Sequence, residues 1–557
     1  YALVDVAAIG FGKKKDLIKN HAKKGDLVVL LGGSTGRDGI GGSQFASDSL
    51  ESENRSAIQI PDPFIEKLII EAILEARNQD LIHAMKDLGG GGLSCAVSET
   101  ADALSIGIEM DVNKVHTRES DMNPDEIMVS ESQERMLIVT NNDKFKKLQK
   151  ICKKFRITCS VIGHVTFDNM MHVKKGKTTC ANLPTGVVAN ATLLDRPSKK
   201  PAYLETIEEE KSLKPILDYS KMMMKLISSP NIASKIWVYG QYDHEVGIRT
   251  VVKPGTDASV LRLDNGKYLA AKIDGNPKHC YINPREGAIG CFEEACRNVV
   301  CTGAKPIGML DHLQFGNPED PEIFWTFLES LKGLTDFAKY FEIPCVGGKV
   351  SLYNETPSGP IKPTPIIGIL GLIDKTPLCS QKITSGDYLV IIGDTKNEMG
   401  GSEYFEYIHK FIGGKCPVVN FQESKINMNT VLDVIKKDLL KTVHDCSKGG
   451  LAVAVSELCM THRIGCDVSL EKVPGLKLDV DRILFSESHS RYLLVLEKKN
   501  LKKLEAILKK SKASYKMIGV FGGEHIQFNK ESKHVIDLRV DKAQKTWFNS
   551  LRELVHG

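Results

Sequence analysis

Apolar positions in the first part of the chain alternate between continuous runs, typical of buried strands, and the wider spacing typical of helices. Leu27–Leu31 is a continuous apolar run, whereas residues 63–78 carry apolar side chains three or four positions apart. The same reasoning predicts two further strands and a basic amphipathic helix, at 136–139, 159–165 and 144–155. This alternation indicates an α/β domain over residues 23–170.

The middle of the chain departs from this pattern and then returns to it. Residues 195–225 contain prolines and an acidic run in place of apolar spacing, which is the composition of a connector. Two further α/β stretches follow, at 232–375 and 384–530. The sequence therefore predicts three α/β stretches joined by one connector.

Two motifs of the first stretch return in altered form in the last one. Asp87-Leu-Gly-Gly-Gly-Gly-Leu-Ser94 is echoed by Asp445-Cys-Ser-Lys-Gly-Gly-Leu451, and Ser130-Glu-Ser-Gln-Glu-Arg135 by Ser486-Glu-Ser-His-Ser-Arg491. Asp87 to Glu131 spans 44 positions, and Asp445 to Glu487 spans 42. A repeat of this length indicates a duplicated α/β unit.

The start of the chain also has a counterpart in the second copy. The strand predicted at residues 1–12 corresponds to Thr364–Ile373, which about 130 residues of α/β sequence precede. We therefore expect the first repeat to lack its front half in this sequence. A strand isolated in this way needs partners, and we expect it to pair with the domain at 245–373.

Composition restricts the classes of function. The 557 residues carry a net charge of +4 with Lys and Arg spread along the chain, so no nucleic-acid partner is expected. No run of about 18 apolar residues predicts a membrane span. The 14 cysteines form no Cys-x-x-Cys pair, and we interpret them as reduced thiols of a soluble cytoplasmic protein rather than as metal ligands.

Asp87 ends a predicted strand immediately before four glycines and the start of a helix. Glycine lets backbone N–H groups approach an anionic ligand closely, and a carboxylate beside them suits Mg²⁺. An Asp that caps the helix fits the same spacing. Both interpretations, metal ligand and helix cap, stay open at this point.

Glu131, Ser132 and Gln133 place a carboxylate, a hydroxyl and an amide in consecutive positions before a strand. Such a set can hydrogen-bond a sugar or an amide ligand, although a polar loop that enters a strand has the same composition. His489 replaces Gln133 in the second copy. The two copies are therefore not expected to bind the same ligand in the same way.

Three glycine-bearing loops are candidates for phosphate binding. The loop at 32–43 lacks the spacing of the common phosphate-binding motifs, and we interpret it as a structural turn. In the 232–375 stretch one polar loop follows Asp311, and another contains Gly348 and Lys349, where glycine allows close approach and lysine neutralises phosphate. A turn at Gly316 and a β-bulge at the glycines are the alternatives.

Longer motifs run through the whole chain in order. They are Gly33-x-Thr-Gly-Arg-Asp-Gly-Ile-Gly-Gly-x-x-Phe-Ala-Ser47, Gln59-x-x-Asp-Pro-Phe64, Glu126-Ile-Met-Val-Ser-Glu-Ser-Gln-Glu-Arg-Met136, Ser229-Pro-Asn-Ile-Ala-Ser-Lys235, Phe315-Gly-Asn-Pro-Glu319 and Val350-Ser-Leu-Tyr-Asn-Glu-Thr356. In these motifs the chain resembles the synthetase subunits of phosphoribosylformylglycinamidine synthase, which belong to the PurM/PurL ATP-binding superfamily.

The resemblance implies an α/β (α+β) fold of tandem PurM-like units. Each unit combines a mixed-sheet half-barrel domain with an α/β sandwich domain, and the two form a pseudo-dimer. The implied segments are a remnant of the first N-domain, the first C-domain, a linker, the second N-domain, the second C-domain and a tail, at 1–22, 23–194, 195–231, 232–375, 376–530 and 531–557.

The resemblance also implies a ligase of purine biosynthesis that converts formylglycinamide ribonucleotide to formylglycinamidine ribonucleotide with ATP, Mg²⁺ and ammonia. Residues carried over by motif would contact substrate at Gln59, Glu131, Ser132, Gln133 and Ser351, ATP at Asp311, Gly348 and Lys349, and Mg²⁺ at Asp87. Ammonia would come from a separate glutaminase subunit, and a small bridging subunit would complete the complex.

Two departures from the family pattern limit these expectations. Lys349 stands where the family has an Asn that helps to bind Mg²⁺, and a protonated lysine is not a metal ligand. The front half carries the family's catalytic histidine, so we expect no catalytic residue of that kind and no synthetase activity in these 557 residues alone. The cleft near Asp445 and Glu487 is expected to hold a structural ADP. A non-catalytic nucleotide-binding scaffold, or another superfamily enzyme such as aminoimidazole ribonucleotide synthetase, is the alternative function.

Overall fold

The computed structural model describes residues 6–41, 58–190, 192, 194–210, 213, 216–375, 381–475 and 477–556. The chain divides into two compact units, one from Val6–Asp195 and one that contains Arg196–Gly557. The stretches predicted as a second N-domain and a second C-domain both fall in the second unit.

The first unit is built on a seven-stranded mixed sheet. Its strands are β1 Leu27–Gly32, β2 Ala84–Asp87, β3 Gly107–Asp111, β4 Arg135–Thr140, β5 Thr158–Thr166, β6 Met170–Lys175 and β7 Thr178–Pro184. Their order across the sheet is β2-β4-β1-β5-β3-β6-β7. β1 runs antiparallel to both β4 and β5, and its residues Val28–Leu31 are fully buried. The buried strand predicted from the apolar run is confirmed.

Helices cover the sheet of the first unit. They are α1 Pro63–Asn78, α2 Gly92–Leu104, α3 Pro124–Val129, α4 Asn142–Lys154 and α5 Thr185–Ala189. α1 begins where it does because the Asp62 carboxylate accepts a hydrogen bond from the Ile65 N–H at 3.0 Å and Pro63 supplies a fixed helical φ. Ile69, Ala72 and Ala76 form its buried face. The helices predicted at 63–78 and 144–155 are confirmed.

The strand predicted at residues 1–12 is wrong for the residues that the structure describes. Residues 6–12 belong to no helix or strand, and Val6 is 92% exposed. An apolar run becomes a strand only when a neighbouring strand accepts its hydrogen bonds. Residues 1–5 lie outside the described residues, as does the end of the 32–43 loop at residues 42–43.

The second unit contains a six-stranded sheet and a short hairpin. Their strands are β8 Thr250–Val252, β9 Ser259–Arg262, β10 Tyr268–Asp274, β11 Lys305–Gln314, β12 Cys345–Ser351, β13 Glu355–Thr356, β14 Gly359–Pro360 and β15 Thr364–Ile373. The sheet order is β12-β11-β15-β10-β9-β8, with β13 and β14 forming the hairpin. β11 and β12 are parallel, with a register shift beside Val346, so the bulge predicted at the glycines lies one residue earlier.

Five helices precede or cover that six-stranded sheet. They are α6 Tyr219–Ile227, α7 Ile236–Tyr239, α8 Pro277–Ile282, α9 Pro284–Cys301 and α10 Pro321–Phe341. α9 is buried along almost its whole length, and Phe292 in it packs on Phe337 of α10. A helix buried on all sides places its polar residues inside the protein, where they need partners.

A second seven-stranded sheet follows in the same unit. Its strands are β16 Tyr388–Ile392, β17 Thr442–Asp445, β18 Cys466–Ser469, β19 Tyr492–Leu496, β20 Tyr515–Phe521, β21 His525–Lys530 and β22 Lys533–Arg539, and its helices are α11 Phe421–Ile435, α12 Gly450–His462, α13 Val480–Phe485, α14 Leu501–Ser511 and α15 Val540–His556. The order β17-β19-β16-β20-β18-β21-β22 repeats that of the first sheet strand for strand. The predicted duplication is confirmed.

The second seven-stranded sheet continues past the boundary predicted at residue 530. β22 is its edge strand, and the α15 side chains of Val540, Ala543 and Trp547 are buried. Trp547 Nε1 donates to the Ile232 carbonyl at 2.8 Å. The segment predicted as a tail is therefore part of the packed unit, because β22 pairs with β21 and α15 buries these three side chains. Among the described residues, no helix is long and apolar enough to cross a lipid bilayer.

Candidate functional site

The loop before β4 is held by a buried arginine. Arg135 is 2% exposed, and its guanidinium donates to the carbonyls of Ser132 (2.7 Å) and Ser130 (2.6 Å) and to the hydroxyl of Thr35 (2.9 Å). Burial lowers the pKa of Arg135 to about 10. Arg135 thus fixes the shape of the loop that carries Glu131, a role that the sequence analysis did not assign.

The glycine turn after β2 packs against the same loop. Gly91 and Gly92 have positive φ angles, and a Cβ on Gly92 would lie 2.0 Å from the Ser130 carbonyl oxygen. Asp87 is exposed at the end of β2, directly before this turn. The cap of α2 is Gly91 rather than Asp87, so the helix-cap interpretation of Asp87 is wrong, and the side chain is accessible to a ligand.

Glu131 is the junction of the predicted substrate-binding residues. Its carboxylate accepts hydrogen bonds from Gln59 Nε2 at 2.8 Å and from the Gly91 N–H at 3.0 Å, and it is 4% exposed. Gln59 itself is exposed. Gln133 is half-buried and its amide donates to the Glu131 carbonyl at 2.9 Å. The structure therefore brings Gln59, Glu131 and Gln133 together beside the glycine turn.

Ser132 faces away from this group and into the protein. Its hydroxyl bonds the Asp38 carboxylate and accepts the Gly36 N–H at 2.9 Å, and the residue is 3% exposed. Asp38 also pairs with Arg118. The described part of the 32–43 loop is thus held by internal contacts, as the structural interpretation predicted. We call these contacts, together with those of Arg135, the frame of the site, and Ser132 belongs to it.

The second copy reproduces this frame. Arg491 donates to the carbonyls of Ser488 (2.9 Å) and Ser486 (2.6 Å) and to the hydroxyl of Thr395 (3.0 Å). Glu487 accepts the Gly449 N–H at 2.8 Å, as Glu131 accepts that of Gly91. The same hydrogen bonds at equivalent positions show that both copies of the motif form the same backbone arrangement.

The surroundings of the two glutamates differ. Glu487 is 4% exposed, accepts a second backbone bond from the Glu403 N–H at 2.8 Å, and faces His279 at 3.4 Å. Burial would raise the pKa of Glu487, but contacts with His279 and Lys278 outweigh it and hold the pKa at about 2. Glu487 is therefore committed to buried internal partners, whereas Glu131 meets the exposed Gln59.

The parallel strands β11 and β12 bring together residues predicted to bind ATP. Asp311 pairs in register with Gly348, and a Cβ on Gly348 would lie 1.7 Å from Asp311 Oδ1. A side chain at 348 would therefore displace the Asp311 carboxylate, whose pKa is raised above its usual value by burial. Lys349 is exposed on the next position of β12. Ser351 ends the strand, and its hydroxyl accepts from Asn354 Nδ2 at 3.2 Å.

A cavity of about 270 Å³ lies beside the second glycine turn. Carboxylates, cations and an apolar wall all contribute to its lining. The charged lining residues are Asp257, Lys272, Asp274, Glu294, His444, Asp445, Lys448 and Glu457. Asp445 belongs to this lining and Glu487 does not, which corrects the expectation that both face one cleft.

One group of three side chains in this cavity has ligand atoms close enough to hold a metal. The atoms of Asp257, His444 and Asp445 lie within 4.8 Å of one another, and this is the group of that kind found among the described residues. His444 Nδ1 is 2.9 Å from Asp257, and Nε2 is 3.2 Å from Glu457. Burial alone would lower the pKa of His444, but the two carboxylates outweigh it and raise the pKa well above its ordinary value. A protonated imidazole has no lone pair for a metal.

Comparison with models of known protein families shows which class of domains the chain contains. Residues 23–175 and 384–528 each match the C-terminal domain of AIR synthase related proteins, and residues 255–373 match the N-terminal domain. Two copies of one domain at those positions agree with the repeated strand order.

Relatives and solved structures narrow the class to a family. The phosphoribosylformylglycinamidine synthase subunits PurL of Thermococcus sibiricus and Methanocaldococcus jannaschii are each 41% identical, over 100% and 99% of this chain and 77% and 76% of their own. The chain belongs to the PurL family of phosphoribosylformylglycinamidine synthase subunits. The structure described as T. maritima PurL complexed with FGAR has a TM-score of 0.69 at 24% identity, over 92% of this chain and 74% of its own, and PurLQS from Thermotoga maritima has 0.68 at 23%, over the same shares. These two show a shared fold.

Proposed function

We propose that this chain binds formylglycinamide ribonucleotide and contributes to its ATP-dependent conversion to formylglycinamidine ribonucleotide. The amide oxygen is a poor leaving group, so the γ-phosphoryl of ATP is first transferred to it and ADP is released. Ammonia then adds to the activated carbon, a C–N bond forms, the C–O bond breaks, and phosphate and a proton leave. Family membership and the first-unit site support this proposal.

The observation that carries the proposal is the environment of Glu131. Its buried carboxylate is held by the Gly91 N–H and meets the exposed amide of Gln59. A carboxylate and an amide so placed match the hydroxyl and amide groups of a ribonucleotide substrate. We assign Gln59, Glu131 and Gln133 to substrate contact and Ser132 to the support of the loop. Ser351 is also proposed as a substrate contact, on its motif alone.

Asp87 fits the metal ligand that this reaction needs. It is exposed at the end of a strand, and Gly90 in the turn that follows is exposed as well. Mg²⁺ would neutralise the transferring phosphoryl group. Asp311 and Gly348 are proposed to receive ATP, with Lys349 supplying positive charge.

The partners are proposed from the reaction and the family. Ammonia must come from hydrolysis of glutamine, so we propose a glutaminase subunit with a small bridging subunit, in the cytoplasm. The described cysteines are all free thiols, as that compartment requires. Co-elution of the chain with its glutaminase in gel filtration tests the partnership, and separate elution with all subunits, glutamine and ADP present would contradict it.

A structural ADP in the second-unit cavity is the remaining proposal. The cavity has the size of a small ligand site and an apolar wall at Ile232, Leu458 and Trp547. Whether a metal ion would bind together with the nucleotide depends on the charged side chains that line the cavity. Mass spectrometry of the denatured protein tests this, with one ADP per chain expected and its absence contradicting the proposal.

Substrate titration tests the central proposal. Replacement of Gln59 by Leu removes the amide proposed to contact the substrate, together with its hydrogen bond to Glu131. Affinity for formylglycinamide ribonucleotide in calorimetry is therefore expected to fall about 10-fold to 100-fold. Gln79→Leu, at an exposed glutamine after α1, is the matched control and should leave affinity unchanged. Equal affinity of the wild type and Gln59→Leu would contradict the assignment.

A further inference from the structure

The second-unit cavity contains five lining carboxylates, and each has a cation of the protein beside it. Asp257 and Glu457 contact His444, at 2.9 and 3.2 Å. Asp445 contacts Arg297 at 3.1 Å. The remaining two carboxylates share one partner, Lys448.

Lys448 lies between Asp274 and Glu294. Its Nζ is 3.4 Å from Asp274 Oδ1 and 3.6 Å from Glu294 Oε1, and both carboxylates are close to fully buried. Lys272 reaches Asp274 only at 3.9 Å. Two buried carboxylates that face one point need a cation there, because their mutual repulsion is large in a medium of low dielectric constant.

The same position would suit a divalent cation. Asp274 and Glu294 offer carboxylate oxygens of the type that Mg²⁺ and Mn²⁺ prefer, and Mg²⁺ commonly binds one or two protein carboxylates and keeps several waters. The ammonium of Lys448 already lies between the carboxylates of Asp274 and Glu294, so a metal does not fit beside it.

We propose that Lys448 is a built-in counter-cation that replaces a divalent metal in the second-unit cavity. The ammonium then supplies the positive charge between Asp274 and Glu294 without Mg²⁺, and any ligand that the cavity takes is bound free of metal. Removal of the Lys448 ammonium converts the carboxylates around it into a divalent-cation site. The inference is independent of the proposed catalytic function, because Lys448, Asp274 and Glu294 are not among the residues assigned to substrate, ATP or Mg²⁺.

Mn²⁺ titration followed by electron paramagnetic resonance tests the proposal. An Asp87→Asn background removes the metal ligand proposed in the first unit. In that background the otherwise wild-type chain and Lys448→Arg are expected to bind no Mn²⁺ up to about 1 mM, whereas Lys448→Met binds one ion per chain in the range of carboxylate sites. Adding Asp274→Asn to Lys448→Met should abolish that binding.

Thermal stability supplies a second readout. Mn²⁺ should raise the Tm of Lys448→Met and leave that of the wild type unchanged, with or without a chelator. Lys441→Met is the matched control, since Lys441 pairs with the single buried carboxylate of Asp387 at 2.8 Å and its loss creates no cluster. Three results would each overturn the proposal. The chain that keeps Lys448 could bind Mn²⁺ and lose it with Asp274→Asn, or its Tm could fall when a chelator is added. The third is a folded Lys448→Met that binds no ion.

Discussion

Replacing Arg135 by Met should loosen the loop that carries Glu131 without unfolding the sheet. The change removes three hydrogen bonds from a charged donor, each worth about 1.5–3 kcal/mol, and returns several kcal/mol of guanidinium desolvation. A net loss of about 3 kcal/mol in local stability follows. Because each 1.4 kcal/mol changes an equilibrium constant tenfold, the equilibrium constant for local opening of the loop should rise about 100-fold.

Hydrogen exchange measures this opening at defined amides. The Gly36 N–H donates to Ser132 Oγ and the Glu131 N–H to the Asp38 carbonyl, so both report on the frame. Arg491→Met should accelerate exchange at Lys396, whose N–H donates to Ser488 Oγ, and leave the first-unit amides unchanged. Acceleration below about fivefold at Gly36 in Arg135→Met, in a folded protein, would refute the reasoning.

Three further predictions follow from named contacts. Gly348→Ala places a Cβ against the Asp311 carboxylate and should lower ATP affinity at least 10-fold in calorimetry. Gly359→Ala, whose Cβ meets open space although its φ is positive, should leave ATP affinity unchanged, and equal affinities of the two variants would contradict the ATP assignment. His444 has a folded-state pKa above its unfolded value, so its contribution to folding stability is complete below about pH 6.5 and is lost as the pH rises toward the folded pKa. The free energy of unfolding, measured with denaturant from pH 6 to 9, should show this decline in the wild type and not in His444→Gln. Gly92→Ala should destabilise the first unit by more than about 2 kcal/mol, because a side chain there meets the Ser130 carbonyl at a positive φ, whereas Gly41→Ala, which also has positive φ but open space, should cost less; the order of the two Tm values checks this.

Local patterns predicted the elements better than they predicted the boundaries. The apolar run of β1 and the spacing of α1 predicted both elements within two residues, because β1 is buried on both faces of the sheet and α1 packs its apolar face against β1. The strand at 1–12 failed because periodicity does not show whether a partner strand exists. β22 was missed because an edge strand carries alternate polar residues that resemble a surface tail.

The site was predictable where function and motif coincide. Spacing pointed to Glu131 and Asp87, and the resemblance added Gln59, which the structure places on the Glu131 carboxylate. Arg135 and Arg491 were visible in the repeated motif, yet their role depends on burial. The charge balance around Lys448 depends on residues from β10, α9 and the second glycine turn, which no local pattern brings together.

The central claim is that the first copy of the motif binds the ribonucleotide and that the second copy does not. Hydrogen exchange of the wild-type chain with and without saturating formylglycinamide ribonucleotide tests it directly. The account predicts added protection in peptides that contain Gly89–Gly92 and Glu131–Gln133, and unchanged exchange in peptides 446–451 and 486–491. Protection confined to the second copy, or equal protection of both, would contradict it.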